Sequence, residues 1–338
     1  MVDTPSEFDF IILGTCHATS ILAGALSRAG FDVLTVDGAA HYGGASASLS
    51  PVELDQLLAT QHDQVYQEAT PGEVPLCSDH VLGRSERDVL ASTGVAPPRT
   101  CVDLQPKLLL ANCEYISTLI RGGLHRYIEY KNLEEILRAQ PGEGADNGYA
   151  RVPSGRADIF KDRSLSLGQK RCLMKLVKVL GSLVPRAEDG TGFRPVDREA
   201  LRTVAGDADS FDAFLSSFGL DDDVRLLLRH SVAFETAGLD GETNSDTVAC
   251  LARLVACIRS TGVYGPQPFL VPLYGAGEYA QAWCRLGAVY GGVFILREQP
   301  TRLLVQTNAE SGKEEAVGVA VAGGARYTAR RAVIAAET

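Results

Sequence analysis

The first forty residues constrain the fold more than anything else in the chain. Phe8–Leu13 is apolar apart from Asp9, as a strand covered on both faces requires. Gly14 begins a turn, residues 17–29 read as a helix of small residues, and Gly30 suits the position just past its end. Asp32–Asp37 (DVLTVD) is a second strand, so the pattern predicts a right-handed crossover between parallel strands. Such a turn holds a dinucleotide when it reads G-x-G-x-x-G. The second glycine lets backbone approach the diphosphate, and the third lets helix pack on strand. Here the three positions are Gly14, Cys16 and Thr19. The Cys16 side chain would project where phosphate oxygens approach, and Thr19 would crowd the helix–strand contact. Asp37, 23 positions after Gly14, stands where a ribose-binding carboxylate would lie, or else caps the following turn. The reading is a degenerate loop on a dinucleotide scaffold, with no cofactor expected.

Residues 51–100 hold Pro51, Pro71, Pro75, Pro97 and Pro98 without sustained periodicity, and read as a long excursion with one or two short helices. A helix is expected from Val102 through Leu104, Leu108, Leu109, Ile116 and Leu119, followed by a strand over His125–Tyr130. Gln140–Asn147 reads as a linker. Leu173, Leu176, Val177, Leu180, Leu183 and Val184 then recur at helical spacing, with Lys175 and Lys178 off the stripe. Phe211–Phe218, Val224–Phe234 and Thr247–Ile258 predict further helices. Strands return after Gly265. A meander over Leu303–Thr307, Ala316–Val321 and Ala325–Ala329 turns at Ser311-Gly312 and Gly323-Gly324, and Arg331–Ala335 forms a last strand. The expected architecture is α/β: an FAD/NAD(P)-binding-like, Rossmann-type domain with a mixed sheet (1–151 and 249–338), interrupted by an inserted all-helical domain at 152–248. That fold continues past the returning strand into at least one helix, so a longer chain is expected.

Composition narrows the function. Thirty-two basic residues against 42 acidic ones give a net charge of −10, which argues against a general nucleic-acid or anionic-membrane binder. The eight cysteines are scattered and contain no C-x-x-C, so reduced thiols in a cytosolic protein, without metal, are expected. The N-terminus lacks the apolar core of a signal peptide, and the C-terminus lacks a prenylation box. There is no G-x-S-x-G, H-E-x-x-H or P-loop, and His17 and His41 are isolated histidines near the expected sheet edge. Two glycine-bracketed segments stand out. One is His41-Tyr42-Gly43-Gly44-Ala45-Ser46; the other runs Pro268–Glu278 (PFLVPLYGAGE), followed by Arg285 and Tyr290-Gly291-Gly292. Glu278 and Arg285, seven apart, would share one helix face.

With Gly14-Thr15, Asp37, Tyr42-Gly43-Gly44, Pro268–Glu278, Arg285 and Tyr290-Gly291-Gly292 in place, the chain resembles the family of Rab GDP-dissociation inhibitors and Rab escort proteins. Val152–Phe160 (VPSGRADIF) followed by Lys170–Lys175 (KRCLMK) looks like the escort branch. The resemblance implies a non-enzymatic chaperone. It would bind GDP-loaded Rab GTPases, present them to the α/β heterodimer of Rab geranylgeranyltransferase, and deliver the geranylgeranylated product from the cytoplasm to membranes. The alternatives are a GDP-dissociation inhibitor that recycles prenylated Rabs and, from another class, an FAD-dependent oxidoreductase. By motif match, Tyr42, Gly43, Glu278, Arg285 and Ile295 fall on the Rab-binding platform. The helical insert would contact lipid or transferase through Leu173, Leu176 and Val179. Leu176 and Val179 stand where the escort branch carries a phenylalanine.

Overall fold

The predicted crossover forms: β1 (Glu7–Leu13), α1 (His17–Arg28) and β2 (Val33–Asp37), with β1 and β2 parallel from Phe10↔Val33 to Leu13↔Val36. This is a computed structural model describing residues 5–54, 56–57, 101–139, 148–185, 193–235, 246–307 and 314–336. Of the excursion over 51–100, residues 51–54 and 56–57 are helical, while 55 and 58–100, the linker 140–147 and the turn at Ser311-Gly312 lie outside the described residues. Gly14 and Gly30 both take positive φ, +83° and +90°, where a side chain would be strained.

Two short strands follow, β3 (Ser48–Leu49) and β4 (Val102–Asp103), paired antiparallel. The helix expected from Val102 is therefore absent: the chain forms β4, then β5 (Leu109–Leu110), and turns helical only at α2 (Glu114–Gly122). Pro106 explains it, since it lacks an amide donor and disfavours helix at Gln105. His125–Tyr130 is likewise not a strand. Gly123 at φ +77° ends α2, Leu124–Arg126 forms a tight 3₁₀ turn, and extension begins at β6 (Tyr130–Asn132). A hairpin, β7 (Leu137–Ala139) with β8 (Tyr149–Arg151), comes next.

The described residues of 152–248 then hold helices and no strand: α3 (Arg156–Lys161), α4 (Leu167–Ser182), α5 (Arg198–Ala205), α6 (Phe211–Ser217), α7 (Asp222–Leu227) and the start of α8 (Thr247–Ser260). From α4 onward each starts on a Ser or Asp whose side chain accepts from the first turn: Ser166 from Gln169, Asp197 from Glu199, Ser210 from Ala213, Asp221 from Val224 and Asp246 from Val248. Leu173, Leu176 and Leu180 of α4 pack with Phe211, Leu251 and Val255 in one core. The single helix expected over Val224–Phe234 is divided. After α7 the backbone widens into a π turn at Leu228–Val232, where Arg229 is ion-paired to Asp212 and to buried Glu235.

The chain closes with β9 (Phe269–Pro272), α9 (Gly277–Val289), β10 (Val293–Leu296), β11 (Pro300–Thr307), β12 (Glu314–Val321) and β13 (Arg326–Ala335). The main sheet has the order β10-β2-β1-β13-β12-β11; its first four strands pair in parallel, and β12 pairs antiparallel with both β13 and β11, so it is mixed as expected. β13 is one strand where Ala325–Ala329 and Arg331–Ala335 suggested two. It pairs with β12 through Arg326–Thr328 and with β1 as far as Ala335. The charges of its central residues are accommodated at the surface. Arg330 bonds Asp9 at 2.9 Å and Asp32 at 2.6 Å, while Arg331 lies over the Phe31 ring.

Two compact units result. One comprises Met1–Lys107, Arg126–Glu129 and Pro272–Thr338; the other comprises Leu108–His125 and Tyr130–Val271. The second is wider than the 152–248 read from sequence, because it carries the small strands on both sides of the helices. Among the described residues, no helix is long and apolar enough to cross a membrane.

Candidate functional site

In the sheet unit, the turn after β1 is bonded to the segment after β2. Thr15 donates to Asp37 Oδ2 from both its amide, at 2.7 Å, and its hydroxyl, at 2.5 Å. Asp37 Oδ1 accepts from the Ala39 amide at 2.8 Å, so Asp37 does cap the following turn. Cys16 pairs with Gly43 as a parallel bridge, and the Gly43 amide donates to Thr15 O at 3.0 Å. Thr19 turns its hydroxyl back to Cys16 O at 3.0 Å. Gly43, at φ +110°, has Ala47 Cα 2.9 Å from where a β-carbon would stand, and a β-carbon on Gly44 would stand 3.5 Å from Cys16 Cα, so the two loops pack closely. A dinucleotide needs the Thr15 amide region open to phosphate and a carboxylate for ribose. Both Asp37 oxygens are already engaged and the Cys16 backbone faces Gly43. The residues present do not fit that group.

Above this lies α9. Its first amides are held by side chains from β3 and β4: Gly277 N donates to Ser48 Oγ at 2.7 Å, and Ala276 N to Asp103 Oδ1 at 2.9 Å. Small residues let α9 approach its neighbours. A β-carbon on Gly24 of α1 would stand 2.8 Å from Trp283 O, and one on Gly287 would stand 2.9 Å from Phe294 Cζ. With Ala280, Trp283 and Cys284 turned inward, Glu278 is left half-buried and Arg285 exposed. Each has its own partner. Glu278 Oε2 accepts from the Tyr274 amide at 3.1 Å, and the Arg285 guanidinium lies 4.6 Å from the Tyr127 ring centre. Burial raises the Glu278 carboxyl above its ordinary range.

The structure brings Tyr42 to the helix-covered side, its ring edge-on to Phe294 at 6.4 Å, and burial raises its phenol. Ile295, the next residue of β10, points to the opposite face and packs with Ile11, Leu34 and Val36, because neighbouring strand residues alternate. Tyr42 and Ile295 therefore do not share a face. His17 is stacked on Tyr279 at 5.7 Å, and burial, with a lesser effect from Lys107, holds its pKa down to about 4.

The helical unit contains a cavity of about 680 Å³. Its apolar wall includes Leu173, Leu176 and Leu180 of α4, Val224 of α7, and Leu254 and Cys257 of α8; burial pushes the Cys257 thiol up to about 12. Leu173 and Leu176 face this cavity. Val179 does not: it lies on the reverse of α4 beside Phe218, near Lys175 and Lys178. Sequence reasoning missed the polar residues that also line the cavity, among them Arg138, Arg151, Asp221 and Gln267.

The chain matches the model of the family described as GDP dissociation inhibitor over residues 4–80 and 84–334. It is 27% identical over 313 residues to Rab proteins geranylgeranyltransferase component A of Drosophila melanogaster, covering 91% of this chain and 56% of that protein. It is 29% identical over 292 residues to the probable secretory pathway GDP dissociation inhibitor 1 of Schizosaccharomyces pombe, covering 86% of this chain and 57% of that one. The chain thus spans a little over half the length of these curated relatives. Among solved structures, the Rab GDI of Plasmodium falciparum superposes with a TM-score of 0.65 at 21% identity, over 98% of this chain and 66% of that one. An oxidoreductase of Methanosarcina mazei superposes with a TM-score of 0.51 at 12% identity, over 96% and 58%. Those likenesses show the fold, which inhibitor and oxidoreductase share. The loops bonded across Asp37 and Gly43 set this chain apart from a dinucleotide binder, and the family match spans nearly its whole length: the chain belongs to the GDP dissociation inhibitor family.

Proposed function

We propose that the chain is a non-catalytic Rab escort protein. It binds GDP-loaded Rab GTPases, presents them to the α/β heterodimer of Rab geranylgeranyltransferase, and carries the prenylated product through the cytoplasm to membranes. The likeness to the Drosophila component A supports this. The observation that carries it is the cavity of about 680 Å³. At about 30 Å³ per water-sized group, a twenty-carbon isoprenoid needs on the order of 600 Å³. Burying such a chain at about 0.8 kcal/mol per CH₂ is worth on the order of 10 kcal/mol. Leu173 and Leu176 seat the lipid. Val179, with Phe218 and two lysines on the reverse of α4, supplies the transferase contact. Tyr42, Glu278 and Arg285 form the Rab platform, with Gly43 shaping the loop beneath and Ile295 bracing the edge strand.

A GDP-dissociation inhibitor that recycles prenylated Rabs is the second reading, favoured by the likeness to the fission-yeast protein. It would use the same cavity without the transferase. The FAD-dependent oxidoreductase reading conflicts with the bonds that engage Asp37. Pull-down with a GDP-loaded Rab, with and without the transferase, separates the three. The escort reading expects a ternary complex, the recycling reading expects Rab alone, and co-purified flavin without Rab would overturn both.

A further inference from the structure

The outer face of α4 is strongly basic in an acidic protein. From Arg163 to Ser182 the sequence carries five cations, Arg163, Lys170, Arg171, Lys175 and Lys178, and no Asp or Glu, while the net charge of the chain is −10. At about 100° per residue, Leu167, Arg171, Lys175 and Lys178 form one stripe along the helix. All four are exposed, and Leu173, Leu176 and Leu180 are buried on the opposite side. Arg163, Arg171, Lys175 and Lys178 have no ion-pair partner among the described residues. The carboxylates at this end of the helix are engaged or turned away. Asp162 Oδ1 accepts from the Ser164 amide at 2.8 Å and its hydroxyl at 2.7 Å. Asp221 meets α4 at Gln169, about 160° round the helix from Arg171. Two large apolar side chains stand bare at the same end. Leu167, in the first turn, is 74% exposed, and Phe160, near the end of α3, is 62% exposed. Lys170 Nζ donates to Phe160 O at 3.0 Å and so ties α3 to the start of α4.

Cations beside bare apolar side chains fit a surface that offers anionic groups over hydrocarbon, and an anionic bilayer offers both. The apolar face of α4 is taken up by the helical core, so the helix does not insert along its length. Its outer cations reach headgroups, and Leu167 and Phe160 at one end reach the boundary with the acyl chains. Three of the five cations are lysines, whose flexible stems follow mobile headgroups without demanding a fixed geometry. An acidic protein would satisfy the charges and leave the two apolar side chains without a role.

We propose that the outer face of α4, with the end of α3, docks on an anionic lipid surface. This deepens the delivery step proposed above and rests on that reading for its purpose; the contact itself needs neither Rab nor isoprenoid. The acidic remainder of the chain opposes general adhesion, which confines the contact to this face.

Co-sedimentation of the purified chain with vesicles tests it, one set of phosphatidylcholine alone and one of phosphatidylcholine with an equal part of phosphatidylserine. Binding to the anionic set is expected to be at least about tenfold stronger, and to fade as salt rises from about 0.05 to about 0.5 M. Arg163→Gln combined with Arg171→Gln should weaken it about twentyfold, near fivefold per cation. Leu167→Ser should weaken it about fivefold at any salt. All three positions are exposed, and the two vesicle sets can be compared on the unaltered chain without any variant. Neither change should alter capture of a GDP-loaded Rab. Failure of the unaltered chain to capture Rab therefore counts against the escort reading alone, and vesicle binding is judged by itself. Equal binding to the two vesicle sets, or undiminished binding by both variants, overturns the proposal. Binding to soluble polyglutamate in place of anionic vesicles also overturns it and assigns the face to an acidic protein.

Discussion

Two regions of the described residues, the crevice after β1 and the cavity of the helical unit, treat their polar groups in opposite ways. In the crevice after β1, Asp37, Thr15, Cys16 and Gly43 are bonded to one another. The helical cavity is apolar over most of its wall, and Gln267 Oε1 and Arg138 Nε, on two of its lining residues, have no partner among the described residues. A binding site differs from a structural joint in what it leaves unspent. By that measure the crevice of a dinucleotide scaffold has become a joint holding the β2 loop beneath α9, and capacity for a ligand lies among the helices.

The contrast can be broken at either end. Leu176→Ala enlarges the cavity and removes packing from the helical core, and should lower stability by about 2–5 kcal/mol in denaturant unfolding. A loss well under 1 kcal/mol would mean that this wall is not packed as described. Asp37→Ala strips the acceptor from three donors and should cost about 1–3 kcal/mol. Were the crevice a nucleotide site, that change would instead leave stability intact and remove cofactor binding.

His17 sharpens the picture of a filled crevice through pH. Its folded pKa, held at about 4 by burial, lies below the ordinary histidine value of about 6.5. The unfolded chain therefore binds the extra proton first, and stability falls as pH drops from about 6.5 toward 4. His17→Phe should flatten that part of the stability–pH curve; an unaltered slope would place the titration elsewhere. The smallest stability effects belong to Glu278→Ala and Arg285→Ala, within about 1 kcal/mol as for other surface positions. Both should nevertheless weaken capture of a GDP-loaded Rab. Unchanged capture in both removes them from the platform.

What was legible in the sequence was local. The first strand, its glycine turn and the small-residue helix each announce themselves within a dozen residues. Cys16 and Thr19 sit visibly where glycines belong. Asp37 was ambiguous because its partners, Thr15 and Ala39, lie on both sides of it in sequence. Some signals were present and outweighed: Pro106 forbade the helix expected from Val102, and alternation along β10 separates Phe294 from Ile295. Gly24 and Gly287 mark the close packing of α1 and α9 only once both helices are known. The polar lining of the cavity was illegible, since Gln267 and Arg138 lie 129 residues apart in the chain and line one cavity only through tertiary folding.

The most direct measurement is a thermal-shift comparison of two ligands on the purified chain, flavin adenine dinucleotide and N-acetyl-S-geranylgeranyl-cysteine methyl ester. A ligand that binds only the folded state raises Tm with its concentration. The account predicts a rising Tm with the lipidated cysteine and none with the dinucleotide. A rise with the dinucleotide and none with the lipid would contradict it.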